Sequence, residues 1–151
     1  MQTFVWNPQF DTGLEEVDQQ HLRLVEFINL MVNLVAAGQA DDAALDKVLG
    51  ELGDYASYHF DEEEGLMEEM GVDRRHVEHH QLQHSQFIDQ VSQTWETRDT
   101  LEKPAEVLGE YLCTWLAAHI LEEDQSMARQ IALIAQGVAP AEAYRREASR
   151  A

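Results

Sequence analysis

LDKVLGELGDYASYHFDEEEGLMEEM, residues 45–70, reads as one long helix whose apolar stripe is broken by a histidine and a glutamate. Leu45, Val48, Leu52, Tyr55, Ala56, His59, Glu63, Leu66, Met67 and Met70 step by threes and fours, so they share one face. A face turned to a core does not carry a bare imidazole and a bare carboxylate. Burying either without a partner costs about 1–3 kcal/mol, and more when the group is charged.

Working outward, the same interrupted stripe recurs three times. A helix predicted over about Leu14 to Ala37 buries Val17, His21, Leu24, Val25, Ile28, Met31, Val32 and Val35. One over about Arg74 to Trp95 runs Val77, His80, His84, Phe87, Ile88, Val91, Trp95. One over about Ala105 to Gln136 runs Leu108, Leu112, Trp115, Leu116, His119, Ile120, Met127, Ile131. The helix of the opening stretch spans about Ala43 to Met70. Turn residues at Gly38 to Asp42, Gly71 to Asp73 and Arg98 to Pro104 separate the four, and Pro8, Pro104 and Pro140 all avoid helix interiors. The expected fold is all-α: an antiparallel up-and-down four-helix bundle with an irregular N-terminal arm and a short C-terminal helix. Residues 1–136 form the bundle domain and 137–151 a C-terminal helical extension or linker.

Composition supports one domain. At 151 residues and 44% hydrophobic, the chain fills a single sizeable core. Its 29 acidic and 10 basic residues give −19, which disfavours nucleic acid and anionic membranes as partners. No run reaches the roughly 18 apolar residues of a spanning helix, and MQTFVWNPQF lacks a basic leader, so a cytoplasmic location is expected. Cys113 is the only cysteine, which excludes an internal disulfide and a thiolate metal cluster.

The chemistry follows from offsets. A step of four returns to within about 40° of one direction on a helix, so His59 with Glu63, or His80 with His84, can grip one centre. On the last helix Asp124 lies five after His119, roughly 140° round, and Glu123 at four is better placed by spacing alone. Asp124 needs a distorted helix, or a site broad enough for a carboxylate that bridges two ions. Seven ligands, His21, His59, Glu63, His80, His84, His119 and Asp124, suit two ions rather than one. An imidazole-rich set with carboxylates and no thiolate favours iron, copper, nickel or zinc, with iron the first choice.

The segments VDQQH ending at His21, YASYHFDEEE, HQLQHSQF and WLAAHILEED together resemble hemerythrin, specifically the bacterial hemerythrins, over about Phe4 to Met127. The resemblance selects Asp124 over Glu123. It implies two iron ions, one held by His80, His84 and His119 and the other by His21 and His59. Glu63, Asp124 and an oxo or hydroxo group would bridge them. It implies reversible binding of dioxygen at the open position of the second iron, for storage, delivery or sensing, and binding of small anions such as azide to the diferric form. The implied protein is an oxygen carrier or sensor domain and not an enzyme. The alternative is an oxygen-consuming or peroxide-handling di-iron enzyme on the same site. A ferritin-like oxidase would need Glu-x-x-His pairs, and the chain has none.

Leu24, Phe60, Trp115, Leu116 and Ile120 lie within one turn of the ligands and are expected to wall the oxygen pocket. Asp18, one turn before His21, is read mainly as a solvated helix-start charge, with orientation of His21 as the alternative. His76 and His79 are left over, and a surface or interhelix role is expected of His76. AEAYRREASRA at the C-terminus, carrying Arg145, Arg146 and Arg150, reads as a helix packed on the acidic bundle or a linker to an output domain.

Overall fold

The computed structural model describes residues 2–150. Its helices are α1 (Glu15–Ala36), α2 (Asp42–Met70), α3 (Arg74–Glu96), α4 (Pro104–His119), α5 (Gln125–Ala135) and α6 (Pro140–Ala148), with a π-helical turn, Ile120–Asp124, joining α4 to α5. There is no strand among the described residues. Short connections make the four long rods antiparallel: α1 packs on α2 and α4, and α3 packs on α2 and α4.

Local chemistry sets the helix ends. The carboxylate of Asp41 caps α2 by accepting from the amide of Ala44 at 2.8 Å, and Asp73 caps α3 by accepting from that of Arg75 at 2.9 Å. Between them Gly71, at φ 73°, closes α2 in the left-handed conformation that a side chain resists, while the Val72 amide reaches back to the Met67 carbonyl. This three-residue turn fixes the register in which His59 and Glu63 on α2 meet His80 and His84 on α3.

The N-terminal arm is irregular apart from one 3-10 turn, Pro8–Phe10, and it is pinned at both ends. Asn29 of α1 holds the Phe4 backbone through its amide, and Gln125 of α5 donates to the carbonyls of Gln9 and Asp11. Phe4 and Phe10 thereby enter the core. Asp18 accepts from the backbone amides of Thr12 and Gly13 and from the Thr12 hydroxyl. It therefore ties the arm to α1, and its carboxylate makes no hydrogen bond to His21. At the other end α6 folds back on α5, with Ala143 buried and Arg129 paired to Glu147 at 2.7 Å.

Two apolar clusters fill the bundle. The larger holds Leu24, Ile28, Met31, Leu52, Phe60, Phe87, Leu108, Leu112, Leu116 and Ile120, and the smaller holds Val17, Met67, Val72, Val77, Met127 and Ile131. The polar layer of ligand candidates lies between them. No helix is long and apolar enough to cross a membrane among the described residues. Leu112 is fully buried in the larger cluster, so Leu112→Ala should lower the stability of the metal-free protein by about 2–5 kcal/mol. Urea unfolding of the metal-free protein reads this directly, and a loss below about 1 kcal/mol would show that the cluster repacks.

Candidate metal centre

All seven candidates converge. His21, His59, Glu63, His80, His84, His119 and Asp124 are buried, and their polar ends meet in one layer of the bundle. Glu63 Oε1 lies 2.7 Å from His80 Nε2 and 3.2 Å from His84 Nε2, while its Oε2 lies 3.2 Å from His59 Nε2 and 3.6 Å from His21 Nε2. Asp124 divides in the same way. Its Oδ1 is 3.0 Å from His80 Nε2 and 3.3 Å from His119 Nε2, and its Oδ2 is 3.0 Å from His21 Nε2. Each carboxylate thus turns one oxygen to the trio His80, His84, His119 and the other to the pair His21, His59.

The π turn is what brings Asp124 in. An ordinary α-helix would put it well off the His119 face, but the extra residue in the turn returns positions five apart to nearly one direction. Spacing in an undistorted helix favours Glu123, and the structure turns that side chain outward to Gln83 and His79. Reading the last helix as continuous from Ala105 to Gln136 therefore missed the distortion that decides which acid enters the site.

The residues fit bound metal. Glu63 Oε2, both Asp124 oxygens and the Nε2 atoms of His21, His84 and His119 are buried without a hydrogen-bond partner, an arrangement costly for a finished polar core. Ligand atoms about 2.1 Å from an octahedral centre stand about 3.0 Å apart along its edges, near the spacings found here. Glu63 with His80, His84 and His119, and Glu63 with His21 and His59, form two compact ligand groups. A third group, His76 with His80 and Glu123, shares His80 with the first and so competes with it.

Electrostatics show the same demand for positive charge. Burial works against ionisation of Glu63 and Asp124, as does Glu63's charge for Asp124, yet the surrounding histidines hold both carboxyls well below the usual range. Burial likewise opposes charge on His21 and His80, and the two carboxylates outweigh it, pushing each imidazole up to about 10.

Behind the ligands, a set of acceptors holds the outer ring nitrogens. His59 Nδ1 meets Gln20 Oε1 at 2.6 Å, His84 Nδ1 meets Glu64 Oε2 at 2.8 Å, His119 Nδ1 meets Gln83 Oε1 at 2.9 Å, and His80 Nδ1 meets His76 Nε2 at 3.0 Å. Only His21 Nδ1 is without a partner among these five. The three oxygen acceptors keep the proton on Nδ1 of His59, His84 and His119 and aim each Nε2 at the centre, whereas the two-ring contact of His80 with His76 allows either direction. Sequence reading missed Gln20, Glu64 and Gln83 because each sits one residue off a ligand stripe, where it looks like surface. His76 was expected at the surface or between helices. It is buried between α3 and α5, which is the interhelix place and not the surface one, because Gln130 of α5 lies over the first turn of α3.

The apolar candidates lie on one side of the layer. Phe60 stacks on His84 at 3.9 Å between ring centres, and Trp115 stacks on His119 at 4.4 Å. Leu24, Leu116 and Ile120 are buried in the same cluster. Phe87, 4.2 Å from the Trp115 ring, closes the aromatic wall and was not singled out by its sequence position. A cleft of about 470 Å³ between α1 and α2 reaches Gln20 and Glu63, with Glu15, Glu16, Glu62 and Glu69 on its walls.

A buried layer of paired carboxylates and histidines on a helical bundle defines a metal-binding four-helix protein. The Hemerythrin HHE cation binding domain family matches residues 12–131, and the chain belongs to the hemerythrin family. It is 36% identical over 82% of its length to a bacteriohemerythrin of Pseudomonas paraeruginosa, covering 78% of that protein. It is 31% identical over 81% of its length to one of Clostridium acetobutylicum, covering 96% of it. It is 34% identical over 87% of its length to one of Stenotrophomonas maltophilia, covering 83% of it.

Two outcomes test the geometry. Asp124→Ala should abolish most metal uptake while Glu123→Ala leaves it nearly unchanged, and metal analysis showing the opposite ranking would overturn the role given to the π turn. His21 and His80, each pushed up to about 10, carry a proton at neutral pH in the metal-free protein. Metal loading at pH 7 should therefore expel about two protons per chain. Calorimetry in buffers of different ionisation heat counts them, and a heat independent of buffer would contradict the shifts.

Proposed function

We propose that the chain binds dioxygen reversibly at a non-heme di-iron centre, as an oxygen carrier or sensor. In this reading His80, His84 and His119 hold one iron and His21 and His59 the other, with Glu63 and Asp124 bridging the two. The observation that carries it is the division of each carboxylate between the two histidine sets.

Counting donors gives five for the first position (three nitrogens, two oxygens) and four for the second (two nitrogens, two oxygens). The second set, offering one donor fewer, is the side where an exogenous ligand would find room. Two ferrous ions held by these residues would supply the two electrons and a binding position for dioxygen. The chain's own residues do the rest. Glu63 and Asp124 offset buried positive charge. Gln20, Glu64, Gln83 and His76 fix the imidazoles in their productive tautomer. Leu24, Phe60, Trp115, Leu116 and Ile120 keep water and stray protons from the apolar side of the centre, which favours release of oxygen unchanged over its reduction. The acidic cleft beside Glu63 is the one feature that favours the enzymatic alternative, because it brings solvent close to the bridge.

Loaded anaerobically with ferrous iron, the protein should hold close to two irons per chain and be nearly colourless. Admitting oxygen should produce a visible absorption band that disappears when oxygen is removed. Azide should bind the oxidised form. Leu116→Gln should shorten the lifetime of the oxygenated form several-fold by admitting water. Continuous oxygen uptake with a reductant, and no reversible band even at low temperature, would replace the carrier reading with the oxidase one.

A further inference from the structure

His76 is an imidazole without a place in the ligand set, buried at the first turn of α3. Its Nε2 lies 3.0 Å from His80 Nδ1, and its Nδ1 lies 3.1 Å from the amide of Gln130, a fully buried residue of α5. The same amide reaches Ser126 Oγ at 3.2 Å, while Gln130 Oε1 is buried without a partner. The other outer contacts end in a side-chain amide oxygen or a carboxylate. This one alone ends in a second ring, and it joins α3 to the helix that follows the π turn.

Proton counting fixes the direction of the relay. With Nε2 of His80 facing the centre, its Nδ1 must carry the proton and donate. Nε2 of His76 must then be bare, and its proton sits on Nδ1, pointing at Gln130. An amide NH2 there would set donor against donor. Turning the Gln130 amide about its last bond replaces that clash with a hydrogen bond, and gives the orphaned Oε1 both His76 Nδ1–H and the Ser126 hydroxyl as donors.

We propose that His76 is a positioning residue for His80, held in its Nδ1–H form by the carbonyl of Gln130, so that α5 helps to set the metal affinity of the centre. An imidazole acceptor behind His80 raises the donor strength of its Nε2 and fixes the ring plane. The inference rests on the metal-centre reading above but not on dioxygen binding, so zinc is a sufficient probe.

The test uses the full chain loaded with zinc, which is diamagnetic. Nitrogen-15 NMR should show His76 protonated on Nδ1 and bare on Nε2, and Gln130→Leu should shift it toward the other tautomer. Zinc release to a chelator should be about 10–100-fold faster in His76→Phe, which keeps the ring volume and removes the acceptor. His76→Gln, whose amide oxygen can reach the same point, should recover most of the loss. A wild-type tautomer with the proton on Nε2 would overturn the proposal whether or not His76→Phe folds. So would release from His76→Phe within about twofold of wild type, the result expected of a ring that merely fills space. Failure of the oxygenated band with these results intact would refute the oxygen reading and leave this one standing.

Discussion

The structure turns on two buried carboxylates that face five imidazoles with almost no neutral way of satisfying one another. Glu63 and Asp124 are buried, and they stay ionised only because positive charge stands beside them. Protons on His21 and His80 supply that charge when no metal is present, and bound metal would take their place. The four rods bring one layer of polar atoms together at the cost of leaving several without hydrogen bonds. Those unpartnered atoms are the donors a bound cation would use.

Everything around the layer serves to hold it in place. The turn at Gly71 sets α2 against α3, the π turn swings Asp124 into the gap, and the N-terminal arm is fastened across the bundle to α1 and α5. The outer contacts are uneven. The trio His80, His84, His119 is backed by an imidazole, a carboxylate and an amide, whereas the pair His21, His59 is backed by one amide. Stronger acceptors make better-donating imidazoles, so the trio offers the stronger donors of the two sets.

The surroundings are equally one-sided. Phe60, Trp115 and Phe87 form an aromatic wall over the His84 and His119 rings, continuous with the larger apolar cluster. Toward α1 and α2, an acidic cleft comes close to Glu63. The polar layer thus has an apolar side and an acidic side.

The sequence by itself determined the four rods, their polarity and the residue types of the site. Periodicity in α1 to α3 states which face is buried, and a histidine on that face has few innocent explanations. His59 with Glu63 and His80 with His84 were legible from the step of four alone. Asp124 was not, because helical spacing points to Glu123, and only family resemblance favoured the aspartate before the π turn gave the physical reason. Gln20, Glu64, Gln83 and the burial of His76 were hidden for a related cause. A stripe records which side chains point inward on one helix, whereas an outer contact depends on the distance between two helices. Asp18 looked able to reach His21 along α1, but the arm competes for it with two backbone amides and a hydroxyl. Local pattern fixed what each helix offers, and the tertiary structure decided which offers meet, since that depends on crossing distances and one extra residue in a turn.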